Sequence, residues 1–387
     1  MIWHVLDVRA IWIKEFAAAL GRQVSVLGWL PNFSHAGRLQ NRETEFAHDD
    51  PPLAIRSFPL QRGFAKFPFD ALLDESTRIV RRLSNRAGTG PLVCTSPHYA
   101  AVAEKWRGPV IYYVTDFFPA YRNEPDYIAR LDRVMCAAAT LVCANSQRIA
   151  DYLQGGPGCP AEKILVLPNA TRGANIPAAP PASTGALPDD IADLPRPVAG
   201  VIGNLAANTN WRLLREVIDH TPWLSWAFIG PTEMPIEDRS EREARDEVMR
   251  WGTRGSSVPR VRFTGAKTYS QLIDYARAFD VAVLPYRKIE PTFSGSATRF
   301  YDHLAACRPM VSTRGLAELW HKEPLLRLVD TANEMIASIE TLRDLSFRDG
   351  IEELRWQTSR EETWDNRAAR MIAALSQRTE LGRVAAA

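Results

Sequence analysis

VAVLPYRKIEPTFSGSATRFYDHLAACRPMVST, residues 281–313, reads as strand, loop, helix, turn and strand. The apolar run at its start ends in Pro285-Tyr286-Arg287, and a loop of small residues (Ser294, Gly295, Ser296, Thr298) leads into a helix. That helix opens with Arg299, carries Asp302 three residues on, and stops at Cys307-Arg308-Pro309 before a second apolar run. Two buried strands joined through a helix are the repeating unit of a parallel sheet.

Working outward, the same grammar recurs. PVAGVIGN, WAFIG and VRFTG are strands, with helices over 209–219 and YSQLIDYARAF between them. In the first half IWHVLDV, VSVLGWL, PLVCTS, PVIYYVTD, TLVCANS and KILVLPN are strands, and WIKEFAAALGRQ, DYIARLDRVMCAAA and SQRIADYLQGG are helices. Continuous apolar strands alternating with helices imply parallel sheets covered on both faces. The fold class is therefore α/β, with two doubly wound, Rossmann-like domains. The boundaries fall at 1–170 for the first domain, 171–196 for a Pro/Ala-rich linker, 197–357 for the second domain, and 358–387 for a helix crossing back to the first.

The bulk numbers agree with this division. A chain of 387 residues is too long for one ordinary core. Its 47 Lys and Arg against 45 acids leave a net charge of +2, which excludes a protein built to coat nucleic acid. The five cysteines (Cys94, Cys136, Cys143, Cys159, Cys307) form an odd set without a C-x-x-C pair, so they read as reduced, buried thiols of a cytoplasmic protein. Asp7, Arg9, Lys14 and Glu15 interrupt the N-terminal apolar stretch, which is neither a signal-peptide core nor a membrane span. GFAKFPFDALLDESTRIVRRLSNRAG mixes aromatics with Lys66, Arg78, Arg81, Arg82 and Arg86. It reads either as a solvated helix face or as a peripheral contact with the inner face of the cytoplasmic membrane.

In doubly wound sheets ligands lie outside the carboxyl ends of the strands. Three places in the second half qualify. In GVIGNLAANTNW, Gly203 and Asn204 follow a strand, and glycine lets the backbone approach a ligand. In FTGAKTYSQLIDYARAFD, Gly265, Lys267 and Tyr269 precede a helix, with Tyr269 a candidate to face a nucleobase. In the opening stretch, Ser294–Thr298 brings small residues to a helix start, where free N–H groups and the dipole favour an anion. Arg299 in that first turn opposes the dipole unless a bound anion such as a diphosphate compensates it, and Asp302 could accept ribose hydroxyls. The plainer alternatives are ordinary turns and an i,i+3 surface pair of Arg299 with Asp302.

VAVLPYR and SGSATRFYDHLAACRPMVST resemble the donor-site segment of GT-B glycosyltransferases. Many of those nucleotide-sugar enzymes carry Lys or Arg, a carboxylate three residues later, a small-residue turn, a proline and a strand; here these are Arg299, Asp302, Cys307 and Pro309. GVIGNL, WAFIGP and VRFTGAKTYSQL resemble the preceding segments in the same order, and LVCANSQRIADYL with ILVLPNA resembles the end of the acceptor domain, so the resemblance covers most of 90–315. It implies two Rossmann-like domains facing a cleft. The nucleoside diphosphate donor, UDP- or GDP-linked, would rest on Gly203, Asn204, Gly265, Lys267, Tyr269, Arg287, Ser294, Gly295, Ser296, Thr298, Arg299 and Asp302. Two features depart from the pattern. Retaining members often show two glutamates eight positions apart where this chain has Ser294 and Asp302, and Cys307 stands for the usual turn glycine. The stereochemical outcome is left open.

An inverting transfer needs a general base. Asp116, in VIYYVTDFFPAY, ends an apolar strand among Tyr113, Phe117 and Phe118, and a similar strand-end aspartate serves some inverting GT-B enzymes that transfer glucuronic acid. His98 in TSPHYA is a second candidate; Asp116 also reads as a helix cap, and His4 as core. Trp12 and Lys14 after the first strand, with Tyr113 and Phe117, are expected to hold the acceptor. Leaving-group stabilisation falls to Arg299 and the helix start, so no metal and no cofactor are expected. The expected function is sugar transfer from a nucleoside diphosphate sugar to a carbohydrate or lipid-linked acceptor. A sugar-nucleotide 2-epimerase and a catalytically silent partner subunit are the rivals.

Overall fold

A computed structural model describes residues 1–35, 38–39, 53–61, 64, 72–121, 125–253 and 259–385; Lys66 lies outside them. The chain divides into two compact units. One comprises Met1–Asn169, Ser294–Ser296 and the chain from Trp364; the other comprises Ala170–Phe293 and Ala297–Thr363.

The first unit begins with β1 (Trp3–Leu6), α1 (Ile11–Gly21), β2 (Val26–His35), β3 (Arg38–Leu39), β4 (Ile55–Gln61) and α2 (Leu72–Ala87). It continues with β5 (Leu92–Cys94), α3 (Ala100–Lys105), β6 (Val110–Val114), α4 (Pro125–Ala138), β7 (Leu141–Ala144), α5 (Gln147–Gly155) and β8 (Ile164–Val166). Its sheet runs β3-β2-β1-β5-β6-β7-β8, with β4 also on β2, and every pairing but β2–β3 is parallel. β1, β5, β6 and β7 are buried along their whole length, as strands covered on both faces must be.

His4 is core, as its place inside β1 suggested. Its Nδ1 accepts from Trp29 Nε1 at 3.0 Å, so its Nε2–H donates to Gly88 O at 3.1 Å, and burial lowers its pKa. All five cysteines are free and buried.

The second unit holds β9 (Val198–Ile202), α6 (Trp211–His220), β10 (Ser225–Ile229), α7 (Arg239–Trp251), β11 (Val261–Phe263), α8 (Tyr269–Ala278) and β12 (Val281–Leu284). After these come α9 (Thr298–Ala305), β13 (Met310–Thr313), β14 (Arg327–Val329), α10 (Ala332–Asp344) and α11 (Glu352–Glu361). The sheet order is β11-β10-β9-β12-β13-β14, all parallel, and the order reverses direction between β9 and β12. That is the switch point where such sheets bind ligands. Trp211, Trp226, Phe228 and Phe263 stack on one face, anchoring β10 and β11 beneath α6.

Two expectations need correction. The Pro/Ala-rich stretch 171–196, expected as a proline-stiffened linker, packs onto the second unit: Ile191 and Leu194 are buried against β9 and β10, Gly185 N donates to Arg277 O, and Arg196 pairs with Asp280. Apolar residues every few positions let it cover an open face that its prolines had disguised. The C-terminal segment is two helices with a break at Glu362-Thr363. α11 stays with the second unit, while α12 (Trp364–Ala385) packs on α1 in the first, with Arg22 paired to Asp365 at 2.6 Å.

Asp132, in α4, is a buried carboxyl that sequence did not single out. Tyr112 and Tyr152 donate to it at 2.5 and 2.8 Å, yet burial outweighs them and pushes its pKa up to about 6. A carboxyl raised on folding is most stabilising when protonated, so its contribution is lost as pH rises from about 4 to 6. His303, buried on α9 with its pKa lowered to about 3 by burial and then by Arg299, has the opposite sign: stability is lost as pH falls below its ordinary range. Asp132→Asn removes the gain and leaves the loss. Between pH 7 and pH 5 the variant should lose about 1 kcal/mol more stability than the parent, read from urea unfolding at the two pH values. Parallel profiles would refute the assignment.

Candidate functional site

At the switch point of the second unit the strand ends are almost bare main chain. Gly203, just past β9, has φ +120°, and Gly230, just past β10, has φ +143°. A Cβ on Gly230 would stand 1.9 Å from Gly203 O, and one on Gly203 would stand 1.9 Å from Arg299 Nε. Only glycine fits either position. Gly265 extends the series with φ +72°, and its carbonyl accepts from Gly230 N at 2.9 Å.

Arg299 lies across this glycine floor. Its Nη2 donates to Asn204 O at 2.8 Å and its guanidinium sits 5.5 Å from the Tyr286 ring centroid. No carboxylate among the described residues lies within ion-pair reach of it. A half-buried cation held by a carbonyl and a ring keeps its charge available for an anion. Asp302, one turn on, is 7% exposed; its Oδ1 accepts from Thr171 Oγ1 at 3.0 Å and Tyr269 Oη at 3.2 Å. Arg299 and Asp302 therefore point to different partners and are not a surface pair. Cys307, where the turn glycine was expected, takes the left-handed conformation itself, with φ +58°.

Several expected ligand contacts are spoken for. Lys267 pairs with Asp190 at 2.7 Å, and Arg287 pairs with Asp238 at 2.8 Å and Glu241 at 3.5 Å, so both cations are neutralised inside the fold. Tyr269 is buried and Arg172 covers its ring at 4.7 Å, which leaves no face for a base to stack on. The loop before α9 also divides. Ser294–Ser296 belongs with the first unit, where Ser146 Oγ donates to Ser294 O and Asn169 Nδ2 to Ser296 O at 2.9 Å. Gly295 lies between these anchors and is buried, while Thr298, half-buried, opens α9 in the second unit. Tyr286 and Glu318 were missed. Tyr286 is the last residue before the basic pair Arg287-Lys288, a signal available but unused.

In the first unit, β1, β5 and β6 are adjacent, so the residues after them share one edge. Asp116 follows β6; Phe117 N donates to its Oδ1 at 3.0 Å and Tyr121 Oη to its Oδ2. His98, in a 3-10 turn after β5, has Nδ1 2.9 Å from Ser96 Oγ. Trp12 and Lys14 are half-buried in the first turn of α1, and Phe117 packs edge-on to Tyr152 at 5.2 Å. Tyr113 is a correction: it is 1% exposed inside β6, packed on Phe16, and lines nothing. Asp7 and Arg9 were overlooked although they too follow a strand. Asp7 has φ +65°, binds Arg9 through both carboxylate oxygens, and accepts from Tyr99 Oη at 3.4 Å.

Solved structures share this architecture from end to end. The Anabaena protein HepE, crystallised with UDP-glucose, is 15% identical and superposes with a TM-score of 0.67 over 97% of this chain and 100% of its own. Sucrose-phosphate synthase from Thermosynechococcus elongatus is 14% identical, with a TM-score of 0.70 over 97% and 98%. A glycosyltransferase from Rickettsia africae is 11% identical, with a TM-score of 0.70 over 98% of each chain. The chain has the GT-B fold. No protein-family model matches it, and no curated protein does. Within the GT-B fold, the glycine floor and Arg299 occupy the switch point of the second Rossmann-like unit, and no helix of the described residues is long and apolar enough to cross a membrane.

Proposed function

We propose that this GT-B chain is a glycosyltransferase that moves a sugar from a nucleoside diphosphate sugar, UDP- or GDP-linked, to a carbohydrate or lipid-linked saccharide. The observation that carries the reading is Arg299, an un-neutralised guanidinium over a floor that only glycine can form. The donor's diphosphate would lie on that floor against Arg299, which stabilises the departing diphosphate as its charge develops. Ribose hydroxyls would replace those of Thr171 and Tyr269 on Asp302, a like-for-like exchange of donors. HepE, of the same fold, holds UDP-glucose.

The acceptor would be taken by the first unit, with Asp116 as base to its hydroxyl and Trp12, Lys14 and Phe117 around it. Tyr121 Oη and Phe117 N already donate to the Asp116 carboxylate, which fixes its orientation. Arg78, Arg81 and Arg82 are exposed on α2, a basic face suited to an anionic membrane that carries such acceptors.

The test is thermal unfolding against a panel of nucleoside diphosphates and their sugars, where a ligand at a hundred times its Kd adds about 2.7 kcal/mol. One nucleotide family should shift the protein. Arg299→Ala should weaken the responding diphosphate about tenfold, the worth of one charge-assisted hydrogen bond. No shift with any nucleotide in a folded sample would end the reading.

A further inference from the structure

Two of the five cysteines come from different elements of the first unit and meet. Cys136 lies in the last turn of α4, and Cys159 in the loop between α5 and β8. Three hydrogen bonds tie those segments together around them. Lys163, the last residue of the loop, donates to Cys136 O at 3.1 Å and to Ala137 O at 3.3 Å, and Tyr152 of α5 donates to Asp132, one turn before Cys136, at 2.8 Å. Cys159 N fastens the loop to the end of α5 through Leu153 O at 2.9 Å. Held in this way the two thiols interact directly. Cys136 S–H favours a thiolate on Cys159 and the Lys163 ammonium adds to the effect, while the same contact and burial push Cys136 up.

The other three cysteines are differently placed. Cys94 and Cys143 belong to the buried strands β5 and β7, and Cys307 follows α9; burial raises the thiol of each, that of Cys307 to about 11. A thiolate, not a thiol, is the sulfur nucleophile, so reactivity concentrates at Cys159. Cys159 is 4% exposed and flanked by exposed Gly158 and Pro160, one residue below the surface. We infer that Cys136 and Cys159 form a redox modification site, which a small peroxide converts to a disulfide joining α4 to the α5–β8 loop. In the first step the Cys159 thiolate attacks a peroxide oxygen: an S–O bond forms, the O–O bond breaks, and the departing hydroxide takes a proton from solvent to leave as water. Cys136 then attacks the sulfur of the resulting sulfenic acid. The S–S bond forms, the S–O bond breaks, and hydroxide carries off the Cys136 proton as a second water. The peroxide gains the two electrons that the two sulfurs lose, and a dithiol reductant reverses the change. Because the second sulfur is already in contact, the sulfenic acid is consumed before it can oxidise further.

The experiment treats the folded full-length chain with a small excess of hydrogen peroxide, removes the excess with catalase, alkylates in denaturant and maps the peptides by mass spectrometry. The Cys136 and Cys159 peptides should be recovered joined to each other, both escaping alkylation, while Cys94, Cys143 and Cys307 alkylate as in untreated protein. Dithiothreitol should restore both thiols. Cys159→Ser should slow the loss of alkylatable Cys136 at least about tenfold, since the attacking thiolate is gone. Cys136→Ser should leave a sulfenic acid on Cys159 that dimedone traps. The parent chain alone decides the matter if either variant folds poorly. A Cys136–Cys159 link no more abundant than links among the other cysteines would overturn the inference, and so would a link formed equally well in urea. Oxidation of Cys159 to sulfinic acid without a link, or a disulfide that forms only between chains, would overturn it as well.

Discussion

With methionine in place of Arg355, the second unit should lose about 3–5 kcal/mol of stability, the cost of stranding a buried charge. Arg355 is fully buried in α11. Its two terminal nitrogens bind both oxygens of Asp349, at 2.8 and 2.5 Å, and its Nε donates to Leu325 O at 2.8 Å. Methionine fills the space of the stem but leaves the Asp349 carboxylate, 7% exposed, without its partner. Urea unfolding should show the transition of this unit shifted to lower denaturant. Adding Asp349→Leu should recover much of the loss, because replacing both members of a buried pair is far milder than removing one. A single variant within about 1 kcal/mol of the parent would mean that water reaches the pair. Since α11 packs on α9, the same variant tests whether the support behind the Arg299 helix is rigid.

The second large effect is expected at Gly203. Alanine there meets two objections at once: its φ of +120° lies where only glycine is comfortable, and its Cβ would sit 1.9 Å from Arg299 Nε. The side chain can swing aside, but the backbone cannot relax, because Gly230 lies against the Gly203 carbonyl. Gly203→Ala should therefore lower stability by about 1–3 kcal/mol and, by driving Arg299 from Asn204 O, weaken the nucleoside diphosphate by up to about tenfold. Stability that falls while affinity holds would detach the glycine floor from the ligand site. The two readouts need separate measurements, urea titration for one and calorimetry below the transition for the other.

The alternation of apolar runs with amphipathic segments made both sheets legible, since parallel strands buried on both faces have nothing to alternate. Arg299 was legible for a local reason: a cation in a first turn contradicts the helix dipole and asks for an explanation. What escaped notice depends on residues distant in sequence. Asp190 neutralises Lys267 across 77 positions, Asp238 neutralises Arg287 across 49, and Glu318 reaches Ala297 across 21. No local pattern announces such partners. Tyr269 misled because its neighbours are polar, while the cover that buries it, Arg172, comes from the stretch read as linker. Asp7 and Arg9 are a different kind of omission: the strand-end rule reaches them, and nothing local in the sequence sets them apart from Trp12 and Lys14 in the helix beyond.

The place of α12 bears on how the chain is made. The first unit is complete only when Trp364–Ala385 lies on α1, so a ribosome that has finished β8 has made an α/β sheet still lacking one of its covering helices. The second unit is contiguous apart from Ser294–Ser296 and can close as it emerges. The face of α1 that α12 covers must wait through the synthesis of the roughly 340 residues between Gly21 and Trp364. For this protein the order of synthesis and the order of completion run in opposite directions, and the N-terminal half is the later one to finish.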